Sequence, residues 1–343
     1  MKLPILNFSS LCLASGAEHA QCWAYVSVHS FAEEKMKTWL KTTVFSVMLA
    51  GLGACQVQAQ AAPPAEAAPQ RALPDLPIPD DAPEADAISL IPDAEDHEIW
   101  EHFLNQLTVR NVTRPQIYPV YPSAERNNGK AIIVVPGGGY MFASIENEGF
   151  PIAERLAAEG YNAFVLKYRT QPTSVAPDAF VQEMAQVFSG LGSRELDAYE
   201  PAVDDLRLAM EYVSAHCPEL GCEPGSAGLI GFSAGAMSVM QVLRTPPEGV
   251  AVDSAALIYP PMTQPVDGEI NPPLFLAIAS DDPLFQQGRF TLPKAWFETN
   301  GAMEFHLYSD GGHGFGTLRK GTSSSSWLEQ YVNWLTLGAG SGK

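Results

Sequence analysis

The sequence predicts an α/β domain built on a mostly parallel, doubly wound sheet. Its apolar runs alternate between the short lengths of strands and the greater lengths of helices, which is typical of βα units. The run at 131–135 is apolar throughout, as strands covered on both faces are. The 28 Pro and 28 Gly residues interrupt helices and disfavour an all-helical bundle. The 343 residues suffice for one large domain with tails.

The predicted elements follow one another from residue 107 to residue 335. Apolar runs of strand length predict strands at 107–112, 116–121, 131–135, 162–168, 228–232, 255–259, 274–279 and 304–308. Apolar residues at helical spacing predict helices at 150–159, 203–215, 235–243, 292–299 and 327–335.

A segment at 170–201 separates a predicted strand from the next predicted helix and is longer than a usual connection. Within it, Phe180, Met184, Val187 and Phe188 recur at helical spacing. Two interpretations stay open. The segment is either a helical cap that selects the substrate or a passive helix packed on the rim of the site.

Composition excludes two classes of protein. The 20 Lys and Arg against 39 Asp and Glu leave a formal charge of -19, which repels nucleic acid. Apolar residues make up 46% and charged residues 17%, so a wholly disordered chain is excluded as well. The same negative charge disfavours electrostatic attraction to anionic membranes.

Residues 36–61 have the pattern of a secretory signal, in which lysines precede an apolar run at 44–52 and small residues follow. Because a signal opens a chain, we expect translation to start at Met36 and residues 1–35 to be absent from the native protein. The apolar run is shorter than the roughly 20 residues that span a bilayer, and no later segment reaches that length. The pattern predicts export without a transmembrane helix.

Two processing sites compete in this leader. Leu52-Gly53-Ala54-Cys55 is similar to a bacterial lipobox, which would place a lipid anchor on Cys55 and make the protein a periplasmic or outer-membrane lipoprotein. Ala59-Gln60-Ala61 instead fits ordinary signal cleavage and secretion. The membrane is expected to be contacted only through a lipid on Cys55.

The remaining chain divides into a linker, a domain and a tail. Residues 62–94 are rich in Ala, Pro and acids and predict an extended linker. The catalytic domain is predicted at 95–337, and 338–343 form a flexible tail. In this domain, Cys217 and Cys222 are predicted to form a disulfide; the alternative is two buried free thiols. Two such ligands alone could not make a structural zinc site.

The segment 228–236 predicts a nucleophile elbow. An apolar strand runs into the Gly-x-Ser-x-Gly pattern around Ser233, and a helical pattern follows. Small residues at Gly231 and Gly235 permit the strained turn that exposes a nucleophilic hydroxyl. The pentapeptide alone is weak evidence, and the strand before it and the helix after it strengthen the prediction.

A glycine-rich turn follows the predicted strand 131–135 and reads Pro136-Gly137-Gly138-Gly139-Tyr140. Consecutive glycines let backbone amides approach a ligand, and acyl-transfer enzymes place an oxyanion loop after an early strand. A second donor is expected from the amide of Ala234. A plain turn is the alternative; a phosphate loop lacks support because neither Gly-Lys-Ser/Thr nor GxGxxG is present.

The base and the acid should follow the serine in the order acid, then histidine. Of the two downstream histidines, His306 lies in a predicted strand and is interpreted as structural, whereas His313 lies in the next loop and is the predicted base. The acid should follow strand 274–279. We choose Asp282 because it directly precedes Pro283, with Asp281 as the alternative, and expect the other aspartate to serve a turn or cap.

Taken together, residues 100–335 resemble the α/β-hydrolase esterases, in particular the acetyl xylan esterases and related carbohydrate carboxylesterases. The resemblance rests on these motifs and on Glu148-Gly149, the segment 165–169 and Gly312-His313-Gly314-Phe315. It departs from many lipases at Pro136, where they carry His, and from its relatives at Ala236, where they usually carry Gly. Arg169 and Asp205 also match and are interpreted as an ion-paired scaffold.

The resemblance implies the α/β-hydrolase fold with a short helical cap insertion and a serine mechanism that needs no cofactor or metal. The residues it implies are the nucleophile Ser233, its partners Asp282 and His313, and oxyanion donors at Gly138, Gly139 and Ala234. The protein is predicted to be an exported serine carboxylesterase that hydrolyses short-chain esters, in particular acetyl esters. The predicted substrates are small esters or acetylated polysaccharides such as xylan. The alternatives are a serine peptidase or dienelactone-type lactone hydrolase on the same fold, and a non-catalytic envelope binding protein.

Overall fold

The computed structural model describes residues 79–80, 82–83, 87–266, 268, 270–299 and 301–338. The predicted extra segment, the signal with Cys55 and most of the predicted linker lie outside these residues, as does the tail beyond residue 338. Among the described helices, none has both the length and the apolar character needed to cross a membrane.

Eleven strands are described, in two sheets. In chain order they are β1 (Ile88–Ser89), β2 (Ile99–Phe103), β3 (Gln106–Arg110), β4 (Gln116–Val120), β5 (Ala131–Val135), β6 (Phe142–Ala143), β7 (Asn162–Lys167), β8 (Ser226–Phe232), β9 (Ala251–Ile258), β10 (Leu274–Ala279) and β11 (Met303–Tyr308). The central sheet has eight strands in the order β1-β4-β7-β5-β8-β9-β10-β11. The pairs from β7 through β5 to β11 are parallel, whereas the pairs β1–β4 and β4–β7 at one edge are antiparallel.

Eight α-helices are described around these strands. They are α1 (Ile145–Glu148), α2 (Phe150–Ala158), α3 (Pro177–Ser189), α4 (Glu200–Leu220), α5 (Ala234–Arg244), α6 (Pro283–Gly288), α7 (Thr291–Glu298) and α8 (Trp327–Thr336). The strands β5, β7 and β10 are buried at every position, as strands covered on both faces must be. The predicted doubly wound, mostly parallel sheet is therefore confirmed.

Some elements differ from their predicted bounds. The folded part begins earlier than residue 95, because Ile88 pairs with Ile117 of β4 and packs on the core. The helix α4 is longer at both ends than predicted and contains Pro218 in its last turn. It ends at Gly221, whose φ of 78° is left-handed, and the disulfide between Cys217 and Cys222 closes this end. The predicted disulfide is confirmed.

A small antiparallel sheet, β2-β3-β6, supports the insertion that contains α3. Phe180 and Met184 of α3 are buried against Phe142 of β6. The buried Arg110 of β3 stacks on Phe180 at 4.4 Å from the ring centre and donates hydrogen bonds to the carbonyls of Ser174 and Val175. The insertion is therefore packed on this second sheet, of which the sequence patterns predicted only β3.

Candidate active site

Ser233 lies in the sharp turn between β8 and α5. Its φ of 50° and ψ of −112° are strained for a residue with a side chain, and its amide donates to the carbonyl of Ile258 at 3.0 Å. A β-carbon added at Gly235 would lie 2.1 Å from the carbonyl oxygen of Val135, and one at Gly231 would lie 2.5 Å from that of Gly235. The turn therefore requires glycine at both positions, as the sequence pattern predicted.

His313 follows β11 and reaches both Ser233 and Asp282. Its Nε2 lies 2.8 Å from the Ser233 Oγ, and its Nδ1 lies 2.9 Å from an oxygen of Asp282. The Asp282 side chain is fully buried, whereas the His313 side chain is 16% exposed. The structure thus brings the three predicted residues together in the arrangement of a nucleophile, a base and an orienting carboxylate.

The two candidate aspartates have different contacts. One oxygen of Asp282 faces His313, while the other accepts the amide of Leu284 at 2.8 Å and caps α6. Asp281 instead accepts the amides of Gly312 at 2.7 Å and Gly311 at 3.4 Å. The helix-capping role expected for the discarded aspartate therefore belongs to Asp282 itself, whereas Asp281 holds the backbone just before His313.

The other residues discussed in the sequence analysis make structural contacts and do not belong to the triad. His306 lies in β11 and contacts Glu304 two residues away, outside the site. Arg169 and the buried Asp205 form an ion pair at 2.7 Å, as predicted, and the Arg169 amide also donates to this carboxylate. Ala236 is buried in α5, so its methyl group lies in the core rather than in the walls of the site.

The glycine-rich turn after β5 lies beside Ser233. A β-carbon at Gly137 would lie 3.0 Å from the Ser233 Cβ, and one at Gly138, where φ is 127°, would lie 2.0 Å from the carbonyl oxygen of Phe142. The Tyr168 hydroxyl donates to the carbonyl of Pro136 at 2.9 Å and orients the start of the turn. Gly138 and Gly139 line a cavity with Ser233, and Gly139 and Ala234 line a second one.

Two compartments meet at Ser233 and His313. The larger, about 690 Å³, is lined on its own side by Asn105, Gln106, Asn147, Leu318 and Arg319. The smaller, about 490 Å³, is lined by Tyr140, Gln171, Arg194, Asp197 and Met237. Both also contact Gly139, Phe188 and Leu191. Phe188 of α3 therefore forms part of the wall between them, and the insertion contributes directly to the site.

Three residues that the sequence reasoning did not assign to the site surround these loops. Glu148 of α1 accepts the amide of Gly137 at 2.7 Å and the hydroxyl of Tyr259 at 2.7 Å. The Tyr259 ring lies 5.2 Å from that of His313, between ring centres. Asn147 contacts the loop after His313. Of the three, only Glu148 belongs to a motif on which the family resemblance rests, the Glu148-Gly149 pair.

The electrostatics of this region centre on Glu148. Burial raises its pKa, while the hydrogen bonds from Tyr259 and Gly137 and the nearby His313 oppose the rise. Burial and the neighbouring Glu148 raise the pKa of Tyr259 well above its usual range, so its hydroxyl keeps its proton near neutral pH. Among the described residues, no group of three or more His, Cys, Asp or Glu side chains could hold a metal ion.

A curated relative and two solved structures are similar to this chain. The acetylxylan esterase of Xylanibacter ruminicola is 22% identical over 246 residues, 62% of this chain and 46% of that protein, so the chain spans about half the relative's length. The acetyl ester-xyloside bifunctional hydrolase from Caldicellulosiruptor lactoaceticus has 22% identity and a TM-score of 0.50, covering 65% of this chain and 88% of the other. The apo form of Thermogutta terrifontis esterase 2 has 19% identity and a TM-score of 0.52, and the match covers 78% of this chain and 100% of the other.

At these identities the solved structures show the fold, and the predicted α/β-hydrolase fold is confirmed. The model of the dienelactone hydrolase family matches residues 118–333, which contain the elbow, the glycine-rich turn and the histidine loop. This match covers more than half of the sequence and confirms the prediction of a hydrolytic enzyme. The chain belongs to the dienelactone hydrolase family.

Proposed function

We propose that the protein is a serine carboxylesterase that acts through Ser233, His313 and Asp282. The observation that carries this proposal is the unbroken contact from the Ser233 hydroxyl through the imidazole of His313 to the buried Asp282 carboxylate. This contact lies next to a glycine-rich turn, in which Gly138 and Gly139 line the same cavity as Ser233. Backbone amides of such a turn can stabilise a developing oxyanion. A binding protein would not need this arrangement.

In the proposed reaction, the Ser233 Oγ attacks the ester carbonyl carbon while the His313 Nε2 takes the hydroxyl proton. The carbonyl oxygen becomes an oxyanion, which the amides of Gly138, Gly139 and Ala234 stabilise. His313 then gives the proton to the departing alcohol, and an acyl-enzyme remains. Water, deprotonated by His313, attacks this ester, releases the carboxylic acid and restores Ser233. Asp282 holds the imidazole in the tautomer that both steps need.

Acetylated carbohydrates are the substrate class we propose. Two of the three similar proteins named above have names that refer to such substrates, one being an acetylxylan esterase and the other an acetyl ester-xyloside bifunctional hydrolase. The larger compartment offers Asn105 and Gln106 as hydrogen-bonding groups for a polyhydroxylated alcohol. The side chains of Phe188 and Leu318 also line this compartment, and because both are exposed they provide apolar contact area.

Acyl-chain selectivity tests this substrate class. We expect kcat/KM to be highest for nitrophenyl acetate and to fall by about tenfold or more at butyrate, because each misfitting methylene costs about 1–3 kcal/mol in the transition state. We also expect acetate release from acetylated xylan, measured against chemically deacetylated xylan as the control. A strong preference for butyrate or longer esters would contradict the assignment.

The Phe188→Ala variant tests whether the insertion contributes to acyl-chain selectivity in the same assay. Because Phe188 lines both compartments, removing its ring should join them and flatten the preference for acetate. Leu104→Ala is a matched control at the rim of the larger compartment only. An unchanged chain-length profile in Phe188→Ala would favour the passive interpretation of the insertion.

A lactone is the second candidate substrate, favoured by the family to which residues 118–333 belong. The same serine would open the lactone ring, and the alcohol would stay attached to the acyl-enzyme. Comparing kcat/KM for a dienelactone with that for nitrophenyl acetate separates the two substrates. Higher kcat/KM for the lactone would replace the acetyl-ester proposal and leave the mechanism unchanged.

We also propose export, either with a lipid on Cys55 or after ordinary cleavage. The leader pattern supports it, and so does the Cys217–Cys222 disulfide, because disulfides persist in oxidising compartments. We expect the native protein outside the cytoplasm, without residues 1–35 and with a mature N-terminus near Cys55 or Ala62. Cell fractionation and mass spectrometry check this, and abundant cytoplasmic protein containing residues 1–35 would contradict it.

A further inference from the structure

The short helix α1 carries two adjacent buried side chains that contact different loops of the site. Asn147 Oδ1 accepts the amides of Thr317 and Leu318, each at 2.9 Å, and the Asn147 carbonyl accepts the Thr317 hydroxyl at 3.0 Å. Its Nδ2 donates to the carbonyl of Gly314, directly after His313, at 3.3 Å. Asn147 thus holds the loop that follows His313 from both sides of Phe315.

Glu148 holds the opposite side of the site. Its Oε2 accepts the amide of Gly137 at 2.7 Å, and its Oε1 accepts the Tyr259 hydroxyl at 2.7 Å. The Tyr259 hydroxyl in turn accepts the amide of Gly316 at 3.2 Å. One carboxylate therefore connects the glycine-rich turn, the end of β9 and the loop of His313.

These bonds leave little freedom around the glycine-rich turn. Glu148 is only 4% exposed, and Tyr259 is fully buried. A β-carbon at Gly137 would lie 2.7 Å from the Glu148 Oε2 and 3.0 Å from the Ser233 Cβ, so carboxylate, turn and nucleophile are in close contact. A buried carboxylate is costly unless it is hydrogen-bonded, and both of its oxygens are. Such a costly group next to the reacting atoms is expected to serve the site.

We propose that Glu148 is a positioning residue for the two loops of the site. Through Gly137 it holds the glycine-rich turn that would bind the oxyanion, and through Tyr259 it holds the His313 loop in a fixed position relative to that turn. This proposal rests on the proposed function, because it assigns Glu148 to the geometry of that reaction. The residue acts through the two loops and takes no part in bond making. Its bonds to Gly137 and Tyr259 keep the amides of Gly138 and Gly139 aimed at the position of the oxyanion.

The test compares Glu148→Ala, Glu148→Gln and Tyr259→Phe with nitrophenyl acetate as substrate. Glu148→Ala is expected to lower kcat by about 10²–10³-fold with KM changed less than about threefold, as the loss of an oxyanion donor does. Glu148→Gln keeps an oxygen that can accept the Gly137 amide and should recover to within about tenfold of wild type. Tyr259→Phe should lower kcat by about tenfold and combine non-additively with Glu148→Gln.

Each kcat is calculated from the concentration of active sites, measured by labelling to completion with a nitrophenyl phosphonate. Unfolded protein in a variant preparation therefore does not lower its kcat. Glu146→Gln is the matched control in the same helix. Among the described residues, Glu146 accepts the amide of Leu107 in β3 and contacts neither of the two loops, so the variant should retain wild-type kinetics. Wild-type kcat in Glu148→Ala, or a loss that disappears when kcat is calculated per active site, would overturn the proposal. If Ser233→Ala is inactive in that case, the proposed function stands and only the role of Glu148 fails.

Discussion

Replacing Ser233 with alanine is expected to lower kcat for nitrophenyl acetate by about 10⁴–10⁶-fold, because in the proposed mechanism this hydroxyl forms the acyl-enzyme. The hydroxyl lies 2.8 Å from the His313 Nε2, on a residue whose backbone is strained at the sharp turn. The substitution removes one oxygen atom and leaves the turn intact. Steady-state kinetics and thermal unfolding of the variant therefore separate a chemical loss from a folding loss.

The matched control for this prediction is Ser226→Ala at the other end of β8. Ser226 contacts Asp253 at 2.8 Å and lies away from both compartments. We expect its kcat to stay within about twofold of wild type, since surface substitutions of this kind change little. Full esterase activity in Ser233→Ala, with the protein free of contaminating esterase, would refute the serine mechanism.

Replacing Asp282 with asparagine is expected to lower kcat by about 10⁴-fold, the second largest effect. The asparagine amide can donate to the His313 Nδ1, which would place the ring proton on Nε2 and prevent it from accepting the Ser233 proton. The paired variant Asp281→Asn keeps an oxygen for the amide of Gly312. Its kcat should stay within about tenfold of wild type, the effect of weakening one hydrogen bond.

This pair of variants decides between the two aspartates by kinetics. Both lie at the end of β10, and both receive hydrogen bonds, but only Asp282 contacts His313. Kinetic parameters for both variants with nitrophenyl acetate are the measurement. A larger loss in Asp281→Asn than in Asp282→Asn would contradict the assignment of the triad acid.

The sequence predicted those parts of the site that depend on local patterns. A strand, a Gly-x-Ser-x-Gly turn and a helix are consecutive in the chain, so Ser233 could be found from neighbouring residues alone. The glycine-rich turn and the His313 loop also follow predicted strands, and parallel strands bring such loops to one edge of the sheet. The sequence favours Asp282 over Asp281 because Asp282 directly precedes Pro283, and the side-chain contacts in the structure agree with that choice.

The parts that were not predicted depend on contacts between distant segments. Glu148 meets Tyr259 across 111 residues, and Asn147 meets Thr317 across 170 residues. A glutamate in a four-residue helix and a tyrosine at the end of a strand have no periodicity that indicates a shared site. The small sheet of β2, β3 and β6 was partly missed for the same reason, because a two-residue strand such as β6 is recognised only by its partner.

Covalent labelling of the native protein with a nitrophenyl phosphonate shows whether Ser233 is the activated nucleophile. We predict one adduct per active chain, located on Ser233 by peptide mass spectrometry, with release of nitrophenol and loss of esterase activity in the same proportion. We also predict no adduct on Ser233→Ala. A folded, active enzyme that acquires no adduct, or acquires one on another residue, would contradict the claim that Ser233 is the activated nucleophile.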